Sequence, residues 1–479
     1  MKNNNHGTGT AQKIENRTFD EIAIGETASL SRTLSKEDIE LFAAMSGDVN
    51  PAHMDEDYAK DDIFHGVIAH GMWGGALVST VLGTLLPGPG TIYLGQDLRF
   101  RRPVRIGDTV TVSVTAKEKR PEKKIVIFDC HCVNQDGKDV ISGTAEVIAP
   151  AEKVSRDRIE APEFVLQNHD RYQQLIARCD DLPAVATAVV HPCSEGALRA
   201  AVEAAEAGLI DPTLVGPESK IRALADAAGL DLTPYRLVDV PHSHAAAKQA
   251  VALVRAGKIE TLMKGSLHTD ELMREVTSRE TGLRTGRRVS HAFVMDVPGH
   301  AHPLIVTDAA INIYPSLDDK RDICQNAIDL AHVLTFPEPR VAILSAVETI
   351  TSKIASTIEA AALCKMAQRG QITGAPLDGP LAFDNAISEE AARTKGIVSP
   401  VAGRANILVV PDLEAGNMLA KQLTFLAKAD AAGIVLGARV PIILTSRADN
   451  LRTRLASCAV AVLIAAAQRQ PETPAVLAE

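Results

Sequence analysis

The chain has 479 residues, 46% of them hydrophobic and only 3% aromatic, and a formal net charge of −10. At roughly 100–200 residues per domain this length implies two to four folding units, each able to bury a sizeable core. The acidic balance excludes a global nucleic-acid footprint, which needs clustered Lys and Arg, but leaves room for anionic small molecules at local basic patches or helix N-termini.

Residues 1–16 read as a polar, disordered tail without the apolar core of a signal peptide. From residue 17 to 150 one apolar run, 70–86 (HGMWGGALVSTVLGTLL), is long enough for a buried helix. Strand-like stretches follow at 91–102, 109–117, 124–134 and 139–148, separated by the turn signals Ile106-Gly107-Asp108 and Asp136-Gly137. One buried helix followed by consecutive strands predicts an α+β unit with the sheet wrapped around the helix. Residues 151–168 are charged and irregular and read as a linker. From 169 to 479 the pattern alternates. Strands are expected at 184–190, 236–240, 260–264, 289–296, 303–308, 340–345, 405–410 and 440–445, with helices between them. One such helix is 352–369, with Ile354, Ile358, Ala362 and Met366 at helical spacing. This predicts a mostly parallel sheet covered on both faces, in two lobes with a ligand cleft. The apolar run Cys458–Ala467 is too short to span a bilayer, so no membrane partner is expected.

Seven scattered cysteines form no disulfide framework, which fits a reducing cytoplasm. Cys130-His131-Cys132 has the look of a metal site, but Ile125–Val133 reads as a strand with Val126, Phe128, Cys130 and Cys132 on one face, and no second Cys/His pair completes four ligands. No metal is expected.

The segment Ser46-Gly47-Asp48-Val49-Asn50-Pro51-Ala52-His53 precedes the buried helix. Asn-Pro bends the chain, and a bend brings a carboxylate and an imidazole five residues apart toward one pocket, where they can hold and polarise a water. The plain alternative is that Asp48 caps backbone N–H groups of its own turn. SGDVNPAHMDEDYA, followed by IAHGMWGGALVS and YLGQDLRFRRPVRIGDTVTVSV, resembles the MaoC-like (R)-specific enoyl-CoA hydratases. The resemblance covers about residues 18–150. It implies a hot-dog fold that dimerises, with Asp48 and His53 as the catalytic pair and Asn50 holding the motif. It also implies that the Gly71 amide donates to the thioester oxygen and that Ser79 hydrogen-bonds in the active-site surround. Arg99, Arg101, Arg102 and Arg105 suit CoA phosphates or, equally, a charge-guarded strand edge.

In the second half no GxGxxG, GxxxxGK[ST] or GxSxG motif appears. Instead, polar residues recur at predicted strand ends: Lys264-Gly265-Ser266, Asp308, Ser345, Asp378-Gly379-Pro380, Pro411-Asp412 and Thr445-Ser446-Arg447-Ala448-Asp449. Carboxyl ends of strands carry the chemistry of doubly wound sheets, although each residue alone also fits a loop or a helix cap. The series TLMKGSLHTDELMR, HPLIVTDAAINIYP, RVAILS, ITGAPLDGPLAFDNAIS, ILVVPDLEAGNMLAKQL and VPIILTSRAD resembles the phosphate acetyl/butyryltransferase family across about residues 184–460, with VSHAFVMD leaning toward the butyryl branch. That family implies a two-lobed α/β fold of the isocitrate dehydrogenase type, usually dimeric. It takes coenzyme A, phosphate and acyl phosphate as substrates and needs no cofactor. Ser446 and Arg447 match the family's Ser-Arg pair, Arg447 for phosphate and Ser446 for the reacting carbonyl or thiol. Lys264, Asp308, Ser345, Asp378 and Asp412 are the substrate-binding candidates. The acetyl enzymes carry an Asp where this chain has Thr453, so Asp449 is the substitute candidate for the base.

The expectation is a cytoplasmic, homo-oligomeric enzyme with two active sites. Two alternatives are weighed. In one, the hot-dog domain only binds acyl-CoA or dimerises. In the other, the second half is a dehydrogenase of the shared two-lobed fold, but the metal-binding Asp series of those enzymes is not recognisable here.

Overall fold

The computed structural model describes residues 13–159, 170–445 and 449–469. Two compact units divide the chain, Met1–Leu166 and Gln167–Glu479.

In the first unit a short strand, β1 (Lys13–Glu15), comes first. A five-stranded antiparallel sheet follows, made of β2 (Thr27–Thr33), β3 (Ile92–Phe100), β4 (Thr109–Arg120), β5 (Ile125–Val133) and β6 (Asp139–Ile148), in the order β2-β4-β5-β6-β3. Inward residues alternate along β4, with Val110, Val112, Val114 and Ala116 buried. On β5, Val126, Phe128, Cys130 and Cys132 are buried. The sheet wraps the helix Gly71–Thr84, which sinks Trp73, Leu77, Val78, Val81 and Leu82 into this face. Each such fully buried side chain contributes about 1.5–3 kcal/mol. Two glycines permit the close fit. A Cβ at Gly74 would lie 2.4 Å from Ile141 Cδ1, and one at Gly143 would lie 1.9 Å from the Asp97 carbonyl oxygen.

Three expectations for this unit change. The tail and the linker are shorter than expected, because β1 pairs antiparallel with β7 (Ser155–Asp157). Asn16 ties the same ends together through bonds with Glu152 and Val154. The helix Lys36–Ser46 is an added element, started by a Ser35–Asp38 capping box. It buries only Ile39 and Ala43, too thin a stripe to register as periodicity.

The second unit is built on one 11-stranded sheet. Its strands are β8 (Val185–Val190), β9 (Ile210–Gly216), β10 (Arg236–Asp239), β11 (Thr261–Lys264), β12 (Ser290–Asp296), β13 (Leu304–Thr307), β14 (Val341–Leu344), β15 (Leu377–Leu381), β16 (Ile407–Val409), β17 (Asp430–Leu436) and β18 (Ile442–Ile443), in the order β10-β9-β8-β11-β18-β17-β12-β13-β16-β14-β15. The first five in that order are mutually parallel, as are the last four. Antiparallel β17 and β12 separate them, so the two groups run in opposite directions. On one face both groups share a single core with the helices Leu317–Val333 and Leu451–Arg469. On the other, each group has its own cluster, which gives the two lobes. Strands β9, β15 and β17 escape the sequence reading because each carries a weak strand signal: Pro212, Asp378-Gly379-Pro380 and Ala431-Ala432-Gly433.

The helix predicted at 352–369 spans Ala355–Gln368, but its buried face is Thr357, Ala360 and Leu363, while Ile358 is exposed. Small residues win this face because Ala360 packs against Gly379 of β15, where an added Cβ would come to 3.3 Å. Leu451–Arg469 is long and apolar enough by length and composition to cross a membrane, yet 61% of its apolar window is buried inside this unit, as in the core helix of a globular protein.

Candidate functional sites

In the first unit the helix Lys36–Ser46 ends at Gly47, whose φ of +76° lets the chain turn sharply. Asp48 follows in the turn, and its Oδ1 accepts from the Asn50 amide at 3.2 Å. The Asn50 side chain accepts from the Ala52 amide at 3.1 Å and so caps the short helix Pro51–Met54, which carries His53. Asn50 thus fixes the start of the helix that carries His53. His53 donates Nδ1–H to the Ile68 carbonyl at 2.8 Å, which leaves Nε2 with its lone pair.

Asp48, His53 and His70 lie with their ligand atoms within 4.8 Å of one another. His53, His70 and Gly71 line one cavity of about 250 Å³, with Trp73, Phe100 and Ile141 among its apolar walls. Gly71 is the first residue of its helix, and no side chain caps that end. Its amide is therefore available to developing negative charge, reinforced by the helix dipole. An imidazole and a helix-terminal amide on one apolar cavity, with the Asp48 carboxylate beside that imidazole, suit the addition of water to a polarised double bond.

Ser79 is placed differently. It sits eight residues further along the same helix, about 12 Å at ~1.5 Å per residue, and is exposed away from this cavity. The arginines divide their tasks. Arg102 and Arg105 donate to backbone carbonyls and Arg101 to Ser142, while Arg101 and Arg102 also line the cavity. The Cys-His-Cys run cannot converge on one ion. Cys130 and Cys132 face the core, where burial pushes both thiols up to about 12, and His131 points outward to Asp139.

In the second unit, one row of paired residues runs Met263, Ile443, Ile434, Ala292, Thr307, Val409 and Ile343. Because the strand groups oppose each other, Lys264 leaves this row on one side and Asp308, Val410 and Leu344 on the other. Lys264 and Asp308 thus lie at opposite ends of the sheet's strands, whereas Asp378, expected at a strand's carboxyl end, is the second residue of β15.

Asp308 is 2% exposed, and its two oxygens accept from the amides of Ala310, Ile311 and Asn312 and from the Asn312 side chain. Asp412 caps the helix Leu413–Phe425 through the Ala415 amide, and Gly416 and Asn417 of that helix pack against Asp308 and Ala309. Ser345 bonds Ser356 at 2.8 Å, and Asp378 takes the Gly379 amide at 2.8 Å. Lys264 is buried at the end of β11, where Gly265 packs against the Val190 carbonyl. Asp449 is half-buried just before the helix Leu451–Arg469, and Thr453 is buried in that helix's first turn. Ser446 and Arg447 lie outside the described residues.

Two further features escaped the sequence reading. His291, the second residue of β12, is fully buried. Burial holds its imidazole well below the ordinary value, and the nearby Asp308 carboxylate and the Leu444 backbone only partly offset this. Arg279, Arg284, Arg287 and Arg288 line a polar cavity of about 520 Å³ with Asp319 and Asp322. Arg288 reaches Asn312 at 2.6 Å, and through it Asp308. The run TSRETGLRTGRR was the available signal for this basic cavity.

Comparison with known proteins gives two family matches. Residues 242–462 match the model described as "Phosphate acetyl/butaryl transferase", and residues 21–130 match "MaoC like domain". The phosphate acetyltransferase of Rhizobium meliloti is 69% identical over 307 residues, which is 64% of this chain and 97% of that protein. Among solved structures, the branched-chain phosphotransacylase from Enterococcus faecalis V583 is 28% identical, covering 58% of this chain and 99% of that one with a TM-score of 0.52. The unliganded R-hydratase PhaJ1 from Pseudomonas aeruginosa is 44% identical over 33% of this chain and the whole of that one, with a TM-score of 0.32.

Proposed function

Because the chain belongs to the phosphate acetyl/butyryltransferase family and carries a MaoC-like domain ahead of it, we propose that one polypeptide catalyses two reactions of acyl-coenzyme A thioesters. The first unit hydrates trans-2-enoyl-CoA to 3-hydroxyacyl-CoA. The second exchanges an acyl group between CoA and phosphate. The observation that carries the hydration reading is the shared cavity: His53 and the helix-terminal amide of Gly71 line it, with Asp48 beside His53. In that site the water oxygen adds to C3, and the π electrons move onto the thioester oxygen under the Gly71 N–H. They return to C2 with a proton, so both parts of one water are retained. In the second unit a phosphate oxygen attacks the thioester carbonyl, the C–S bond breaks and the CoA thiolate leaves and takes a proton; in the opposite direction the base removes that thiol proton and the thiolate attacks the acyl phosphate, releasing phosphate. Ser446 and Arg447 are the proposed catalytic pair, with Asp449 as the base. Coenzyme A and phosphate enter as substrates, and no cofactor is proposed.

The test is a panel of acyl-CoA and enoyl-CoA substrates of increasing length, assayed separately for hydration and for phosphate-dependent CoA release in buffer containing a chelator. Both activities are expected. Loss of either one after chelation removes the cofactor-free reading for that unit, and absence of either one in untreated protein removes that half of the proposal.

A homo-oligomer is the proposed working form. Strand β3 is a nine-residue sheet edge with Ile92 57%, Leu94 49% and Phe100 51% exposed, an apolar edge of the kind that proteins otherwise shield. Light scattering is expected to give the mass of at least two chains, and a single-chain mass would exclude this assembly.

A further inference from the structure

His70 is 2% exposed, and its Nδ1 finds no partner within the protein. Its Nε2 lies 2.9 Å from the Asp48 carbonyl oxygen, so the proton sits on Nε2 and the bond spans 22 residues of chain. The ring lies 4.0 Å from that of His53, centroid to centroid, and 4.8 Å from Phe42. A buried acceptor without a donor is destabilising, and a phenyl ring would fill the same space without one. The thing a phenyl ring cannot do is donate to Asp48.

The neighbouring residues make the same point. The Ile68 carbonyl takes the Nδ1–H of His53, His70 gives its Nε2–H to the Asp48 loop, and Gly71 opens the helix whose amide faces the cavity. Three residues of the segment 68–71 thus tie both members of the acid–base pair to the oxyanion donor.

We propose that His70 is a positioning residue of the hydration site, clamping the Asp48 loop through its backbone carbonyl and bracing the His53 ring. This rests on the hydration reading above. Without the clamp, the turn Gly47–Asn50 is held by short-range bonds: the Gly47 amide to Ala43, the Asp48 amide to Ser46, the Asn50 amide to Asp48, and the Ala52 and His53 amides to Asn50. The carboxylate then samples positions from which it cannot reach the same water as His53.

The test uses the full-length chain with crotonyl-CoA as the enoyl substrate and compares His70→Phe, His70→Gln and His70→Ala. Phosphate-dependent acyl transfer and the melting curve serve as folding controls. His70→Phe keeps the stacked ring and is expected to lower kcat for hydration roughly ten- to a hundredfold while leaving KM within about threefold, as misorientation without lost binding does. His70→Gln places an amide donor near the position of Nε2 and is expected to recover most of the rate lost in His70→Ala. Wild-type kcat in His70→Phe overturns the proposal, as does a His70→Gln no faster than His70→Ala. If His70→Phe does not fold, the comparison of Gln with Ala still decides. If Asp48→Asn itself hydrates normally, the hydration reading has failed instead, which separates the two outcomes.

Discussion

Asp48→Asn and His53→Ala are each expected to reduce hydration of trans-2-enoyl-CoA by roughly a hundredfold or more, the scale of a lost general acid–base group, with acyl transfer to phosphate unaffected. The geometry gives the two residues separate tasks. His53 is locked by its Nδ1–H to the Ile68 carbonyl, so only Nε2 faces the reaction. Asp48 has one oxygen engaged by the Asn50 amide, which leaves the other for water. Asn at 48 still accepts from Asn50 through its own side-chain oxygen, so the turn survives while the charge is lost. His53→Ala removes the imidazole and leaves the Ile68 carbonyl beside the cavity, where water can replace the donor. Both variants are therefore expected to fold. Full-length enzyme assayed for both reactions in one preparation provides the check, and near-normal hydration by both variants would refute the assignment.

Asp308→Ala is expected to destabilise the second unit by about 3–5 kcal/mol, since several buried donors lose one charged acceptor and each unsatisfied group costs about 1–3 kcal/mol without full additivity. Three backbone amides and the Asn312 side chain converge on this carboxylate. Asn312 also holds Arg288 and the Val289 carbonyl, so the damage spreads to the arginine-lined cavity. Asp308→Asn is expected to be nearly as harmful, because its NH₂ would meet donors. Acyl transfer should then disappear at a lower temperature than hydration, which serves as the internal reference. A well-folded variant that has lost only acyl transfer would instead make Asp308 a substrate ligand, and stability within about 1 kcal/mol of wild type would mean that water satisfies the orphaned amides.

What could be read in advance differed between the two halves. The buried helix and strands β3 to β6 were legible because a two-residue alternation and an unbroken apolar run are strong local signals. The Asp48–His53 turn was legible because Asn-Pro marks a bend and the motif is short and contiguous. His70 stands in IAHGMWGGALVS beside Gly71, yet its role depends on the Asp48 carbonyl, which no spacing reveals. In the second half, strands appeared wherever β-branched residues were dense and vanished at Pro212 or Asp378-Gly379-Pro380. The reversal between the two strand groups was invisible, because parallel and antiparallel neighbours have the same local composition. It is also the reason that Lys264 and Asp308, at the ends of β11 and β13, depart from opposite sides of a single row, while Asp378 lies within β15.

The two-residue strand β18 joins β11 to β17 and so connects the two parallel groups into one sheet. Its place after all other described strands in chain order has a bearing on synthesis. As the chain emerges from the ribosome, the first unit is complete long before β18 exists and can fold as a domain of its own. The strands up to Lys264 must wait, with one side of β11 unpaired, until Ile442 and Ile443 arrive. Such distant pairing makes folding slow, and an unpaired strand edge invites association with other chains. A nascent chain halted between these points would already hold a folded hydration domain and, tethered to it, a half-sheet with an open edge. The second unit is therefore where a shortage of chaperones should be felt first.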